Sequence, residues 1–260
     1  MQAQFSRAIV RPPGQSYAHG LTSSNYLGPP DLPRALEQHD HYCRALRECG
    51  LELTTLPAEE DYPDSTFVED IAVIAERVAI IARPGAATRA GEVNTIAAAL
   101  SPIRSRFEPI EAPGTLDGGD ICQAGEHFFI GLSARTNAEG ARQLAAILEA
   151  HGYTASTIDI RAHRTLLHLK TGIAWLGERH CLVVPGFPRP PELAGYDLIE
   201  VDAAETYAAN CVRVNDHVFV AAGNPAISST LRSLGFRLRV LEMSEFRKMD
   251  GGLSCLSLRF

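Results

Sequence analysis

Short apolar runs broken by tight polar turns recur along this chain. Residues 70–74 and 78–85 flank Glu76-Arg77, and 120–123 and 127–131 flank Ala124-Gly125-Glu126. Residues 172–176 and 179–186 flank Gly177-Glu178, and 211–214 and 217–221 flank Asn215-Asp216. Two runs of β-branched and aromatic residues about such a turn predict a β-hairpin. Helix-like stretches with further strands follow: 94–100 before a strand at 105–108, 136–151 before 154–158, and 228–234 before 237–241. In 136–151, Asn137 is placed to cap, Leu144, Ala145, Ile147 and Leu148 form one face, and Gly152 ends the element. An opening unit, residues 7–13, precedes a helix over 32–48 and a strand over 51–56.

The hairpins are repeats. Their starts at Asp70, Asp120, Thr171 and Cys211 lie 50, 51 and 40 residues apart. The chain therefore reads as α/β, built of about five ββαβ modules, each hairpin followed by a helix candidate. No Gly- or Ser-rich linker divides it, so residues 1–260 are expected to form a single domain. Modules that each leave an apolar face uncovered bury it against one another. Matching hairpin ends then converge on one axis: Glu69 and Asp70, Asp117 and Asp120, His168 and Lys170, Asn210, and finally Asp250 and Cys255.

The sequence closes on Asp250-Gly251-Gly252-Leu253-Ser254-Cys255-Leu256-Ser257-Leu258-Arg259-Phe260. Ends fray unless tied down; Leu253, Leu256 and Leu258 would dock this one, which makes Cys255 a positioned thiol. Cysteine, histidine and carboxylate together permit thiol nucleophilic catalysis. A free thiol has a pKa of ~8.5 and only the thiolate attacks, so a cation must help: protonated His168, or a positively charged substrate. Asp117 would orient His168. Asp64, Glu69 and Asp70 would repel one another unless a cation joins them. A guanidinium fits, being planar, permanently charged and matched to carboxylates by its N–H forks.

Composition narrows the classes. A formal net charge of −7 argues against nucleic acid and anionic membrane and favours a cationic small molecule. Hydrophobic residues at 45% and charged residues at 21% are ordinary for a globular protein. No run of about 18 apolar residues offers a membrane span, and the first seven residues show no signal-peptide core. Six scattered cysteines without a CxxC pair suggest neither a disulfide framework nor a zinc site, so a reducing, cytoplasmic setting is expected. Cys43, Cys49, Cys122, Cys181 and Cys211 read as inert core residues. His39-Asp40-His41 reads as a solvated helix face, and Asp120 as structural at a strand entry.

Six segments carry a more specific signal: Asp64-Ser65-Thr66-Phe67-Val68-Glu69-Asp70, Thr115-Leu116-Asp117-Gly118-Gly119-Asp120, the stretch from Gly131 to Asn137, Leu167-His168-Leu169-Lys170, Ala209-Asn210-Cys211 and Asp250 to Cys255. In order and spacing they resemble the dimethylarginine dimethylaminohydrolase family of guanidino-modifying enzymes, from about Ala8 onward. The resemblance implies a five-bladed α/β propeller with pseudo-fivefold symmetry. It implies hydrolysis of Nω-methylated arginine to citrulline through a thiouronium on Cys255, with His168 as acid and base and Asp117 orienting it. It places Glu69 and Asp70 on the guanidinium nitrogens with Asp64 and Asp250 nearby, Arg89 and Arg135 on the substrate α-carboxylate, and Leu21 on a lid. It implies no cofactor and no required metal; the partner is a small-molecule substrate, with monomer and homodimer both open. Arginine deiminases carry an acid two residues after the histidine. Here that position is Lys170, which would leave room for methyl groups. The alternatives are a deiminase-type hydrolase of arginine or agmatine, and a non-catalytic binder of cationic amino acids.

Overall fold

The computed structural model describes residues 4–104, 106–163 and 165–260. The chain begins with β1 (Arg7–Val10), α1 (Leu32–Glu48) and β2 (Glu52–Thr55). Next come β3 (Ala72–Ile74), β4 (Ala79–Ile81), α2 (Glu92–Leu100) and β5 (Glu108–Pro109). The third unit is β6 (Ile121–Ala124), β7 (His127–Leu132), α3 (Ala138–Ala150) and β8 (Thr154–Asp159). The one-turn α4 (Leu169–Gly172) leads into β9 (Ile173–Gly177), β10 (His180–Val183) and β11 (Asp197–Glu200). Then follow β12 (Val212–Val214), β13 (His217–Ala221), α5 (Pro225–Ser233) and β14 (Arg237–Leu241), and finally α6 (Ser244–Arg247) and β15 (Leu258–Arg259).

These strands make five three-stranded sheets, β15-β1-β2, β3-β4-β5, β6-β7-β8, β9-β10-β11 and β12-β13-β14. In each, the central strand pairs antiparallel with one neighbour and parallel with the other. That mixture follows from connectivity: a tight turn permits only an antiparallel partner, whereas a parallel one needs a crossover. The result is the five-bladed α/β propeller that the family resemblance implies, built from the repeated modules.

Four blades carry a helix as the crossover. In α1, Asp31 caps by accepting from Arg34 N at 2.8 Å, and Pro33 occupies the first turn, where no N–H is missed. In α3, Asn137 caps through Gly140 N at 2.8 Å, and the buried Leu144 and Leu148 meet Phe128 and Ile130 of β7. The fourth blade departs from the expected repeat. Between β10 and β11 runs only a three-residue 3-10 turn, Pro191–Leu193. Pro185, Pro188, Pro190 and Pro191 remove the N–H donors a helix needs there. The strand expected at 105–108 starts at Ser105, outside the described residues; pairing occurs at Glu108–Pro109. Met1, Gln2 and Ala3, part of the stretch read for a signal core, also lie outside them. No described helix is long and apolar enough to cross a membrane.

The blade that carries α1 is assembled from both ends of the sequence. β15 pairs with β1 in the register Ala8↔Arg259 and Ile9↔Leu258. Phe260 O accepts from Ser6 N and Arg7 N at 2.9 and 2.8 Å, and Phe260 N returns a bond to Arg7 O at 2.9 Å. Leu253 and Leu256 are fully buried and Leu258 nearly so. Leu258→Ala should therefore cost about 3 kcal/mol of unfolding free energy, the usual range for truncating a buried leucine. Urea denaturation reads this, and a loss below about 1 kcal/mol would mean the closing strand carries little of the fold.

Candidate active site

Cys255 sits between the Gly251-Gly252 turn and β15, and three blades hold its backbone. Glu69 N donates to Cys255 O at 3.2 Å, Tyr42 Oη to Leu253 O at 2.9 Å and Tyr207 Oη to Gly251 O at 2.8 Å. Asn210 Oδ1 accepts from Ser254 N at 3.1 Å, and its Nδ2 lies 4.0 Å from the Cys255 sulfur. A Cβ on Gly252 would come within 2.3 Å of the Asn210 side chain, so only glycine lets the turn approach this closely. Asp250, just before it, is held at φ 57°, a costly conformation for a non-glycine residue.

His168 precedes α4, and its orientation is built from behind. Its Nε2 meets Asp117 Oδ2 at 3.1 Å, and Asp117 Oδ1 accepts from Gly85 N at 2.8 Å. Asp120 is fully buried and takes Ser133 Oγ at 2.6 Å, Thr136 Oγ1 at 2.7 Å and Leu169 N at 2.9 Å. It thus anchors the backbone next to His168 without reaching the imidazole. Gly119 lies flat against the pair: a Cβ there would sit 2.7 Å from both His168 Nδ1 and Asp70 Oδ1.

A buried cavity is lined by Cys255, His168, Asp70, Asp64, Arg89, Arg135, Asp250 and Leu21. Phe67, Leu167 and Met249 supply apolar wall. Eight of the ten residues singled out from sequence meet there, and Asp117 stands directly behind His168. Asp70 accepts from Gly119 N at 2.9 Å and from the Arg89 guanidinium, and lies 4.0 Å from His168 Nδ1. Arg89 is held by protein: besides Asp70, the one acceptor of its Nη1, it binds Glu92 at 2.8 Å and the carbonyls of Asp64 and Phe67 at 3.2 and 3.0 Å. These bonds make Arg89 the support of Asp70, and it also lines the cavity. Arg135 forms no ion pair among the described residues and is the freer cation in the lining.

Asp64 and Asp250 lie in the lining with Asp70, where the resemblance put them, and each has partners of its own. Asp64 accepts from Leu21 N at 3.0 Å; Asp250 accepts from Ser23 N, Ser23 Oγ and Ser24 Oγ at 2.5, 2.9 and 2.5 Å. Both acids tether the 21–24 segment over the cavity, with Leu21 on that segment. Glu69 does not line the cavity at all. Its carboxylate is taken by Lys170 at 2.7 Å, Arg259 at 3.1 Å and Ser254 Oγ at 2.8 Å, facing a separate channel. Adjacent residues on the 3-10 turn Val68–Ile71 point about 120° apart, so Glu69 and Asp70 cannot both face the thiol. Lys170 likewise turns away, so its chemistry does not decide what fits beside Cys255.

Charge sets the resting state. Burial alone would lower the His168 pKa, but the Asp70 charge, the Asp117 hydrogen bond and the charges of Asp120 and Asp117 raise it to about 9. Burial pushes the Cys255 thiol up to about 12, and the charges of Glu69 and Asp70 add to it. Burial raises Asp70 too, yet His168, Arg89 and Lys170 outweigh it and hold that carboxyl below its ordinary value. Asp70, Asp117 and His168 have ligand-capable atoms within 4.8 Å of one another. A metal held there would have to displace the proton that these acids keep on the His168 imidazole. Cys43, Cys49, Cys122, Cys181 and Cys211 are all buried, and burial raises each thiol pKa. His39 corrects the reading of a solvated segment: it faces inward, and burial pushes its pKa down to about 4.

A family model described as arginine deiminase matches residues 103–190. An N(G),N(G)-dimethylarginine dimethylaminohydrolase of Pseudomonas aeruginosa is 48% identical over 98% of this chain and 100% of its own length. The chain belongs to the dimethylarginine dimethylaminohydrolase family. A relative of that name from Streptomyces coelicolor is 32% identical over 97% of this chain and 96% of its own. A dimethylarginine dimethylaminohydrolase solved as a cysteine-to-serine mutant with citrulline superposes at TM-score 0.95, with 47% identity over 99% of this chain and 100% of the other. The N-terminal domain of ArgZ, 20% identical at TM-score 0.85 over 97% of each chain, shares the fold.

Within this family member, sequence reasoning missed Phe67, Leu167 and Met249, because apolar side chains carry no chemical tag. It placed Asn210 on the axis without a role, although the residue both supports the Cys255 backbone and approaches its sulfur. Gly119→Ala should lower turnover by about 100-fold or more while far-ultraviolet circular dichroism stays native, because sub-ångström displacement of reacting groups is that costly. Unchanged turnover would separate the His168 position from the Gly119 contact.

Proposed function

We propose that this family member hydrolyses Nω-methylated arginines to citrulline and the corresponding methylamine, with the following residue roles. The observation that carries the reading is that the Cys255 thiol, the protonated His168 and the Asp70 carboxylate line one buried cavity. Asp70, fixed by Arg89 and Gly119 N, accepts the substrate guanidinium. Phe67, Leu167 and Met249 provide an apolar wall suited to N-methyl groups, and Arg135 meets the substrate carboxylate. The docked cation replaces the field that Glu69 and Asp70 exert on the thiol, so the Cys255 proton leaves to solvent. The thiolate adds to the guanidinium carbon. His168 gives its proton to the departing dimethylamine as the C–N bond breaks, leaving a thiouronium on sulfur. Neutral His168 then takes a proton from water as the oxygen adds to the same carbon. The C–S bond breaks as the hydroxyl proton passes to the departing sulfur, releasing citrulline and restoring the neutral Cys255 thiol beside protonated His168. Asp117 keeps the imidazole oriented through both transfers.

With all six cysteines unpaired, we place this work in a reducing compartment, the cytoplasm. The match of residues 103–190 to the deiminase model makes unmethylated arginine the competing substrate.

Asymmetric dimethylarginine should give citrulline and dimethylamine in equal amounts, faster than arginine gives ammonia, and Cys255→Ser should lower turnover at least ~1000-fold. Larger kcat/KM on arginine would reassign the substrate, and an active serine variant would end the covalent route. The pH dependence has a defined sign. The resting site holds protonated His168 and neutral Cys255, whereas the reacting state has lost one proton. On that accounting kcat/KM climbs about tenfold per pH unit and levels as pH passes about 9. A profile flat from mildly acidic to neutral pH would contradict it.

A further inference from the structure

The axis of the propeller holds a second cavity, of about 180 Å³, that shares no lining residue with the first. Neighbours in sequence divide between the two: Glu69 and Ser254 face this one, Asp70 and Cys255 the other. Gly125 and Asn215, in the β6–β7 and β12–β13 turns, lie in its lining, so it extends to the hairpin tips.

Its charged lining is one anion against three cations: Glu69 with Lys170, Arg213 and Arg259. One oxygen of Glu69 serves both Lys170 and Arg259, at 2.7 and 3.1 Å, and the other is taken by Ser254 Oγ at 2.8 Å. Arg213 forms no ion pair among the described residues; Asp216 and Glu178 act on it only at longer range. Its Nε and Nη1 donate to the carbonyls of Asn215 and Leu176 at 2.9 and 2.5 Å. The Nε of Arg259 is buried with no acceptor. Partly buried cations short of counter-charge, and a buried donor short of an acceptor, are costly unless something supplies both. The rest of the wall is apolar, with Val73, Phe128 and Trp175 prominent. Apolar cavities of roughly 150 Å³ take a benzene ring.

We propose that this channel is a binding site for a small carboxylate monoanion bearing one aromatic or branched aliphatic group. The carboxylate meets the surplus cations around Lys170, Arg213 and Arg259, and the apolar body packs against Val73, Phe128 and Trp175. An inorganic dianion would satisfy the cations but leave these walls facing its hydration shell.

The test is calorimetric titration of benzoate into the full chain, with the Cys255 cavity filled by saturating L-citrulline. The expected result is one site with a dissociation constant of about 1 mM or tighter. Arg213→Gln should weaken it about tenfold, and Ala174→Leu, which fills the channel from β9, should abolish it. Both variants should keep turnover within about twofold of the parent, because neither side chain reaches the other cavity. Arg213 is only partly buried, so its substitution decides the matter if Ala174→Leu fails to fold. No binding in the presence of citrulline, or equal binding in both variants, would overturn the proposal, as would binding of inorganic phosphate in preference to benzoate. Blocking with citrulline rests on the reading given for Cys255, whereas the Arg213 and Ala174 variants report on the channel alone.

Discussion

The pairing of β15 with β1 is the constraint on which the rest depends. Four blades are local, each made by a hairpin and one crossover, and could form from a contiguous stretch. The fifth needs both ends of the sequence, with residues about 250 positions apart brought into register. Closing so long a loop costs entropy that only many simultaneous contacts offset. Leu253, Leu256 and Leu258 supply apolar burial on one side, and the three bonds between Phe260, Ser6 and Arg7 complete the strand on the other. Cys255 lies within that stretch. The nucleophile is therefore in place only when the ring is closed, and folding and assembly of the reactive centre are one event.

That economy explains what could be read in advance. The hairpins are visible because a turn between two β-branched runs has few other uses, and the repeat is visible because each blade solves the same burial problem. Cys255, His168 and Asp117 stand out as polar residues at equivalent hairpin ends. What the pattern could not resolve is direction. It reported that Glu69, Asp70, His168 and Lys170 approach the axis, but the axis holds two cavities, and neighbours on a turn face different ones. Asp64 and Asp250 were legible as acids near the site, yet their partners on residues 21–24 are sequence-distant backbone and hydroxyl groups that no local pattern announces. The missing helix of the fourth blade was available from Pro185, Pro188, Pro190 and Pro191, whose effect on a crossover outweighs the regularity of the repeat.

The acids divide by task once directions are known. Asp117 and Asp120 serve His168, one on the imidazole and one on the adjacent backbone. Asp64 and Asp250 hold the covering segment. Asp70 alone faces both the imidazole and the cavity, and Arg89 fixes it there with help from Glu92. A site rich in carboxylates thus offers one principal acceptor to a cation, which makes its position more restrictive than the count of acids suggests.

The same division bears on the role proposed for Cys255, a thiol that burial and its anionic neighbours push up to about 12. Idle, Cys255 is buried among anions, which favours the protonated thiol. The field that silences it is the field that recruits a guanidinium. In the mechanism we propose, the arriving cation lowers the penalty on the thiolate, and protonated His168 already carries the proton that the leaving amine requires. Glu69 contributes to the silencing from the far cavity, and Lys170 and Arg259 limit how much of its charge the thiol feels. The reactivity of Cys255 is thereby set from both sides of the axis: by the substrate on one, and by the balance of one carboxylate against its two cations on the other.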